Sequence, residues 1–208
     1  MVKKGVKKEI RIYIEGAKQG KEEARLREGF RKFLDELYQL ARQNGFSFRP
    51  PVMCGSGPDA YSDFKKAVKR NRDGLNFLLV DSEKPISENI GPWAHLNCDS
   101  LGLDDSHCHL MAQAMEAWFL ADTGALKEVY GKGFNENSLP KSPVEQIEVK
   151  DLKDGLKKAT ANTTKGKYHK TKHAPEILKR LDAVKVRQAA PHCDRLFNAL
   201  TEKMDAGS

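Results

Sequence analysis

The stretch "NFLLVDSEKP", residues 76–85, decides how this chain is read. Phe77, Leu78, Leu79 and Val80, with Asn76 at the edge, have the length and composition of a fully buried strand. The run passes without a break into Asp81, Ser82 and Glu83. A strand period of two places Asp81 and Glu83 on one side of the chain where it leaves the sheet. Asp, Ser and the nearby Pro85 equally suit a simple turn, so both readings stand for these residues alone.

Working outward, "EIRIYIE" (residues 9–15) alternates Ile10, Ile12 and Ile14 with Arg11 and Tyr13, the pattern of a strand that Gly16 ends. Ala24, Leu26, Phe30, Phe33, Leu34, Leu37, Leu40 and Ala41 recur at helical spacing and predict one long amphipathic helix from Lys21 to Gln43, stopped by Asn44-Gly45. "FSFRPPVMCG" (46–55) is a second extended segment, broken by Pro50 and Pro51, and Tyr61, Phe64, Ala67 and Val68 mark a second helix. Strand, helix, strand, helix, strand implies an α/β fold: a mainly parallel, Rossmann-like, four-stranded sheet with right-handed crossovers and flanking helices. Such sheets bind ligands beyond the carboxyl ends of their strands. Glu15 closes the first strand and Asp81 and Glu83 the third, so three acidic residues meet on one edge.

Residues 107–115 read either as the start of a helix carrying Trp118 and Phe119 or as a fourth buried strand ending near Met115; the architecture favours the strand. Glu116 then becomes another strand-end carboxylate, and Asp122 the cap of a following helix. The character of the chain changes at Leu139, which predicts an α/β core over 1–138 and a basic helical extension over 139–208. The extension holds a Lys-rich helix near Lys150 to Ala161, the loop "NTTKGKYHKTKH" (162–173), and helices at Pro175 to Leu181 and Pro191 to Met204.

A chain of 208 residues with 39% hydrophobic and 31% charged residues suits one compact unit with an appendage. Thirty-six Lys and Arg against 29 Asp and Glu leave +7, which favours a polyanionic partner such as nucleic acid or simply a well-solvated surface. Cys54, Cys98, Cys108 and Cys193 show no C-x-x-C spacing and are scattered in a Lys-rich chain; no signal peptide, and reduced thiols in the cytoplasm, are expected. No apolar run has the length of a membrane span.

Carboxylates brought together repel unless a cation neutralises them. A hard divalent ion, Mg²⁺ or Mn²⁺, takes oxygen ligands and suits Glu15, Asp81, Glu83 and Glu116 on open strand ends. "SHCHL" offers His107, Cys108 and His109, but on a strand Cys108 points away from the two histidines, which argues against zinc. In the 162–173 loop Lys165, Lys167, Tyr168, His169, Lys170, Lys172 and His173 form either a phosphate-gripping cluster or a flexible charged loop. Lys65, Lys66, Lys69, Arg70 and Arg72 read as a solvated helix face, and Trp93, Trp118 and Phe119 as core. Pro58-Asp59 with Glu148 and Lys150 imitates a P-D…E-x-K nuclease signature at a separation long for it, and no glycine-rich feature supports a nucleotide-sugar transferase.

Glu15-Gly16 and Asp81-Ser82-Glu83 resemble the Toprim pattern, a Glu followed by a D-x-D-type pair, with Glu83 replacing the second Asp. "RIYIEG", "LLVDSE", "MEAWFLAD", "KGKYHKTKHA" and "PHCDRLF" together are similar to RloB-like small bacterial proteins of uncharacterised function, from about Glu9 to Leu200. That resemblance implies a Toprim fold, phage defence and an AAA-type ATPase encoded nearby. It implies nuclease chemistry with Asp81 and Glu83 holding metal, Glu15 as ligand or general base, Glu116 completing the shell, and Lys167, His169 or Lys170 neutralising the transition state. No gate-domain tyrosine or zinc ribbon supports a topoisomerase or primase, whereas a noncatalytic Toprim module regulating the ATPase stays open. So do DNA or RNA as substrate and monomer or homodimer as assembly.

Overall fold

Strand β1 (Glu9–Ile14) is the axis of the sheet. On one side it pairs in parallel with β4 (Leu75–Asp81), in register from Ile10↔Leu75 to Ile14↔Leu79. On its other side lie β2 (Ser47–Phe48) and β3 (Val52–Met53), also parallel. β5 (Cys108–Met111) extends the sheet beyond β4, giving the order β2-β1-β4-β5 with β3 also on β1. The sheet has five strands instead of four because the second extended segment is split. Pro50 and Pro51 have no N–H for the ladder, a gap that an edge position tolerates, and Arg49 N–H still bonds Ile10 O at 2.9 Å. The computed structural model describes residues 8–71, 74–87 and 89–207. Arg72 lies outside them.

The period of two sorts the strand residues between two apolar layers. Ile10, Ile12, Ile14, Phe77 and Leu79 face α1 (Gly20–Phe33) and α2 (Asp35–Gln43), whereas Tyr13, Leu78, Val80 and Leu110 face α3 (Gly57–Arg70) and α4 (Pro92–His95). The single helix expected over Lys21 to Gln43 is two segments. Leu34 (φ −90°, ψ 13°) bends the chain between them, yet its N–H still bonds Phe30 O and its carbonyl accepts from Tyr38. On α3, Lys66, Lys69 and Arg70 are exposed, the solvated face expected of them, and Lys65 is half-buried.

Residues 108–111 are strand, and α5 (Glu116–Ala121) starts at Glu116. Asp122 precedes α6 (Thr123–Tyr130), but its carboxylate reaches across to Asp182 N–H (3.0 Å) and Lys185 Nζ (3.1 Å). Beyond it come α7 (Val149–Thr160), α8 (Lys170–Leu178), α9 (Ala183–Ala189) and α10 (Pro191–Asp205). Two corrections follow: the basic loop is helical from Lys170, with Pro175 inside that helix, and α9 is an additional helix. Leu152, Leu156, Ile177, Leu178, Phe197 and Leu200 share one continuous core with Phe30, Phe33 and Trp118. The segment from residue 139 is therefore built into the same hydrophobic unit as the sheet. Gly29 permits a close approach: a Cβ there would lie 2.9 Å from Pro175 O, so α8 packs directly on α1. Among the described residues no helix is long and apolar enough to cross a membrane.

Candidate metal centre

After β1 the chain moves to the β2/β3 side, then returns across to β4 on the other side. The carboxyl ends of β1 and β4 thus flank the topological switch point, where open α/β sheets leave a crevice. Glu15 follows β1 directly, its N–H bonding Leu79 O at 3.0 Å, and Asp81 ends β4. Asp81 N–H in turn donates to Glu15 Oε2 at 3.1 Å, so each strand end holds the other's carboxylate segment in place. Gly57 leaves room for this, since a Cβ there would lie 3.2 Å from Glu15 Oε2.

Glu83 arrives by a different route from the one its spacing implied. The strand stops at Asp81, Ser82 N–H bonds Met111 O, and Glu83 itself is left-handed (φ 60°), its N–H bonding Gln113 O at 2.8 Å. A backbone bend, rather than the strand period, brings its exposed carboxylate back. One oxygen from each of Glu15, Asp81 and Glu83 falls within 4.8 Å of the others.

Burial, followed by the charges of Asp81 and Glu83, raises the Glu15 pKa from 4.5 to about 7. Asp81 is held at both oxygens, Oδ1 by Met115 N–H (2.8 Å) and Oδ2 by Lys170 Nζ (2.9 Å). Lys170 opens α8 and also lies 3.8 Å from Glu116 Oε2. Burial opposes its charge, but Asp81 and Glu116 outweigh that and keep its pKa above the usual lysine value. Glu116 is wholly buried at the start of α5, where Oε1 accepts from Tyr168 Oη at 3.0 Å and Oε2 has no hydrogen-bond partner. It stands outside the group of three carboxylates and meets it through Lys170.

The remaining expected residues separate by burial. Tyr168 is 5% exposed and packs edge-on against Phe119, so its ring is core and not a platform for a base. Lys165 is paired with Glu176 at 2.9 Å, whereas Lys167 and Lys172 are exposed, with no ion-pair partner among the described residues. His169 precedes α8, with its ring 3.1 Å from Thr171 Oγ1 and its N–H bonding His173 Nδ1. The buried His107 and His109 lie 2.8 Å from Asn76 O and Ser106 O, and burial pushes both pKa values down, His109 to about 3. They form no metal group among the described residues. Asp59 closes the capping box of α3 with Ser56, and Glu148 is exposed at the start of α7. The Met115 amide and the burial of Tyr168 escaped sequence reasoning; the signal for the latter was a lone aromatic in a polar tract, two residues before Lys170.

A family model described as Domain of unknown function (DUF4276) matches residues 18–201, and the chain belongs to that family. No curated protein and no solved structure matches it.

Proposed function

We propose that this DUF4276 member is a Mg²⁺- or Mn²⁺-dependent phosphodiester hydrolase of Toprim type acting on DNA or RNA, in the cytoplasm, in phage defence and together with an AAA-type ATPase. The observation that carries this reading is the convergence of Glu15, Asp81 and Glu83 at the switch point of the sheet. The donor set fits a hard cation: it is all oxygen, and burial together with the neighbouring Asp81 disfavours the Glu15 charge that a cation beside it would stabilise. An ion held by these three residues would polarise a phosphodiester oxygen and acidify a water.

The chain's own groups suit the rest of the hydrolysis. Where Asp81 and Glu83 hold the ion, the Glu15 carboxylate beside them can take the proton of the attacking water as the P–O bond to the leaving oxygen breaks. Lys170, fixed between Asp81 and Glu116, offers an ammonium to the charge that develops on phosphate oxygens. Glu116 and Tyr168 hold that ammonium in place from the buried side, and exposed Lys167, His169 and Lys172 are available to neighbouring phosphates.

A noncatalytic module regulating the ATPase is the second reading, favoured by the Lys170–Asp81 pair, which gives the centre an internal counter-ion. A gel assay with labelled DNA and RNA in Mg²⁺ or Mn²⁺ separates the two, comparing the chain alone, its complex with the cognate ATPase, and the complex carrying Glu15→Gln. Cleavage by the wild-type complex that Glu15→Gln abolishes supports the hydrolase. Cleavage surviving the substitution removes this mechanism, and an inactive wild-type complex favours the regulatory module.

A further inference from the structure

Beside the acidic centre is a cleft of about 210 Å³ to which the roles above assign nothing. Glu15 and Lys170 form its charged end, while Leu26, Met115 and Pro175 supply apolar walls from α1, the turn before α5, and α8. Its floor is backbone, because Gly16 and Gly55 face each other through N–H···O bonds of 2.7 and 2.6 Å. A Cβ on Gly16 would fall 2.5 Å from Leu26 Cδ2, so glycine is what leaves Leu26 in the wall. The spacing of the two helical walls is set by packing and by Arg25, which bonds Lys172 O at 3.2 Å. The cleft is therefore held open by the protein's own contacts.

These properties restrict the occupant. A volume of about 210 Å³ is below the roughly 300–1,000 Å³ of drug-sized sites, which leaves room for one flat ring system. One end asks for an apolar face, and the other sets an ammonium beside a group suited to holding a divalent ion, the combination presented by a nucleotide's base and phosphate. At the rim, exposed Glu22 has no ion-pair partner among the described residues and can accept hydrogen bonds from a base amino group. A base stacked inside a duplex cannot enter such a space; only an unpaired or flipped nucleotide can.

We propose that this cleft is a nucleobase pocket that takes the base of an unpaired nucleotide whose phosphate lies at Lys170, making single-stranded nucleic acid the substrate class of the centre. The proposal rests on the phosphodiester reading, which names phosphate as the group at the centre. Fluorescence anisotropy in Ca²⁺ tests it with three labelled probes: a short single strand, the same strand in a duplex, and the same backbone with its bases removed. The single strand should bind at least about tenfold tighter than either of the others. Ala17, which lines the cleft, is the place to fill it: Ala17→Phe, and the milder Ala17→Val, should erase that preference while calorimetric Mn²⁺ binding stays as in wild type. Equal affinity for the duplex or the abasic strand overturns the pocket, as does a preference that survives both substitutions. A single-strand preference that both substitutions erase, in a protein that never cleaves with its ATPase, upholds the pocket and removes the hydrolase. Cleavage without any base preference removes the pocket alone.

Discussion

The ammonium of Lys170 sits 2.9 Å from Oδ2 of Asp81, joining residues 89 positions apart in the chain. The Asp81 side chain is nearly buried, so this contact is the protein's own answer to a carboxylate at a strand exit.

Replacing Lys170 with Met should therefore leave Asp81 and Glu116 uncompensated. The cost in EDTA is about 1–3 kcal/mol, between the values for fully buried and exposed pairs because the lysine is partly open to water. A divalent ion would restore the missing charge, so Mn²⁺ should raise the Tm of Lys170→Met more than that of wild type. Thermal denaturation with EDTA and with Mn²⁺ checks this, and equal shifts would count against a shared cation position.

The pH dependence has a definite sign. The folded state raises Glu15 from 4.5 to about 7, so between these values it binds the proton more tightly than the unfolded chain does. The resulting stabilisation is complete below about pH 4.5 and is lost as pH rises through 7. In EDTA, Glu15 should contribute a fall of about 1–2 kcal/mol to urea-denaturation stability across this window, reduced from the full linkage value by the solvent at this carboxyl and set against the rise contributed by buried His107 and His109. Glu15→Gln should flatten that fall; an unchanged slope would place its origin elsewhere.

Asp81→Asn keeps an oxygen for the Met115 amide but removes the charge. Calorimetry should show Mn²⁺ affinity lower by about tenfold or more, since carboxylate count dominates the binding of hard cations. Wild-type affinity in this variant would dismiss the three-carboxylate centre.

Tyr168→Phe strips the hydrogen bond that the Glu116 carboxylate accepts and leaves the ring against Phe119. A buried carboxylate so exposed to its own desolvation should cost about 1–3 kcal/mol. Nucleic-acid affinity should fall far less than in Lys170→Met, because the ring reaches phosphate only through Glu116 and Lys170; a loss as large as that variant's, with stability intact, would reverse that assignment.

Alanine at both Lys167 and Lys172 should lower the dependence of nucleic-acid binding on salt by about one to two units of slope, since each phosphate contact releases counterions. Lys165→Ala should change the slope less, as Glu176 already neutralises that lysine. Titrations at several salt concentrations distinguish the two.

Local patterns carried much of this molecule in its sequence. The alternation of Ile10, Ile12 and Ile14 with Tyr13, and the unbroken run from Phe77 to Val80, depend only on which side of a strand a residue faces, and the sheet faces follow them. The chain order of strands and helices then sufficed to set Glu15 and Asp81 at neighbouring strand ends. The proline pair, too, marked where the edge strand divides.

Tertiary structure alone decided the rest. Spacing put Glu83 beside Asp81 on a strand, but the chain reaches that place through a left-handed turn tied to Gln113 O. Nothing local distinguishes Lys170 from the other lysines of its basic tract, and the lone aromatic Tyr168 in that polar tract was the one local hint of burial. Their roles arise because Gly29 lets α8 settle on α1, which carries Lys170 to Asp81 and Tyr168 to Glu116. A periodic pattern reports a residue's own face of an element, whereas an ion pair across 89 residues reports how two elements pack, and that is set by the whole core at once.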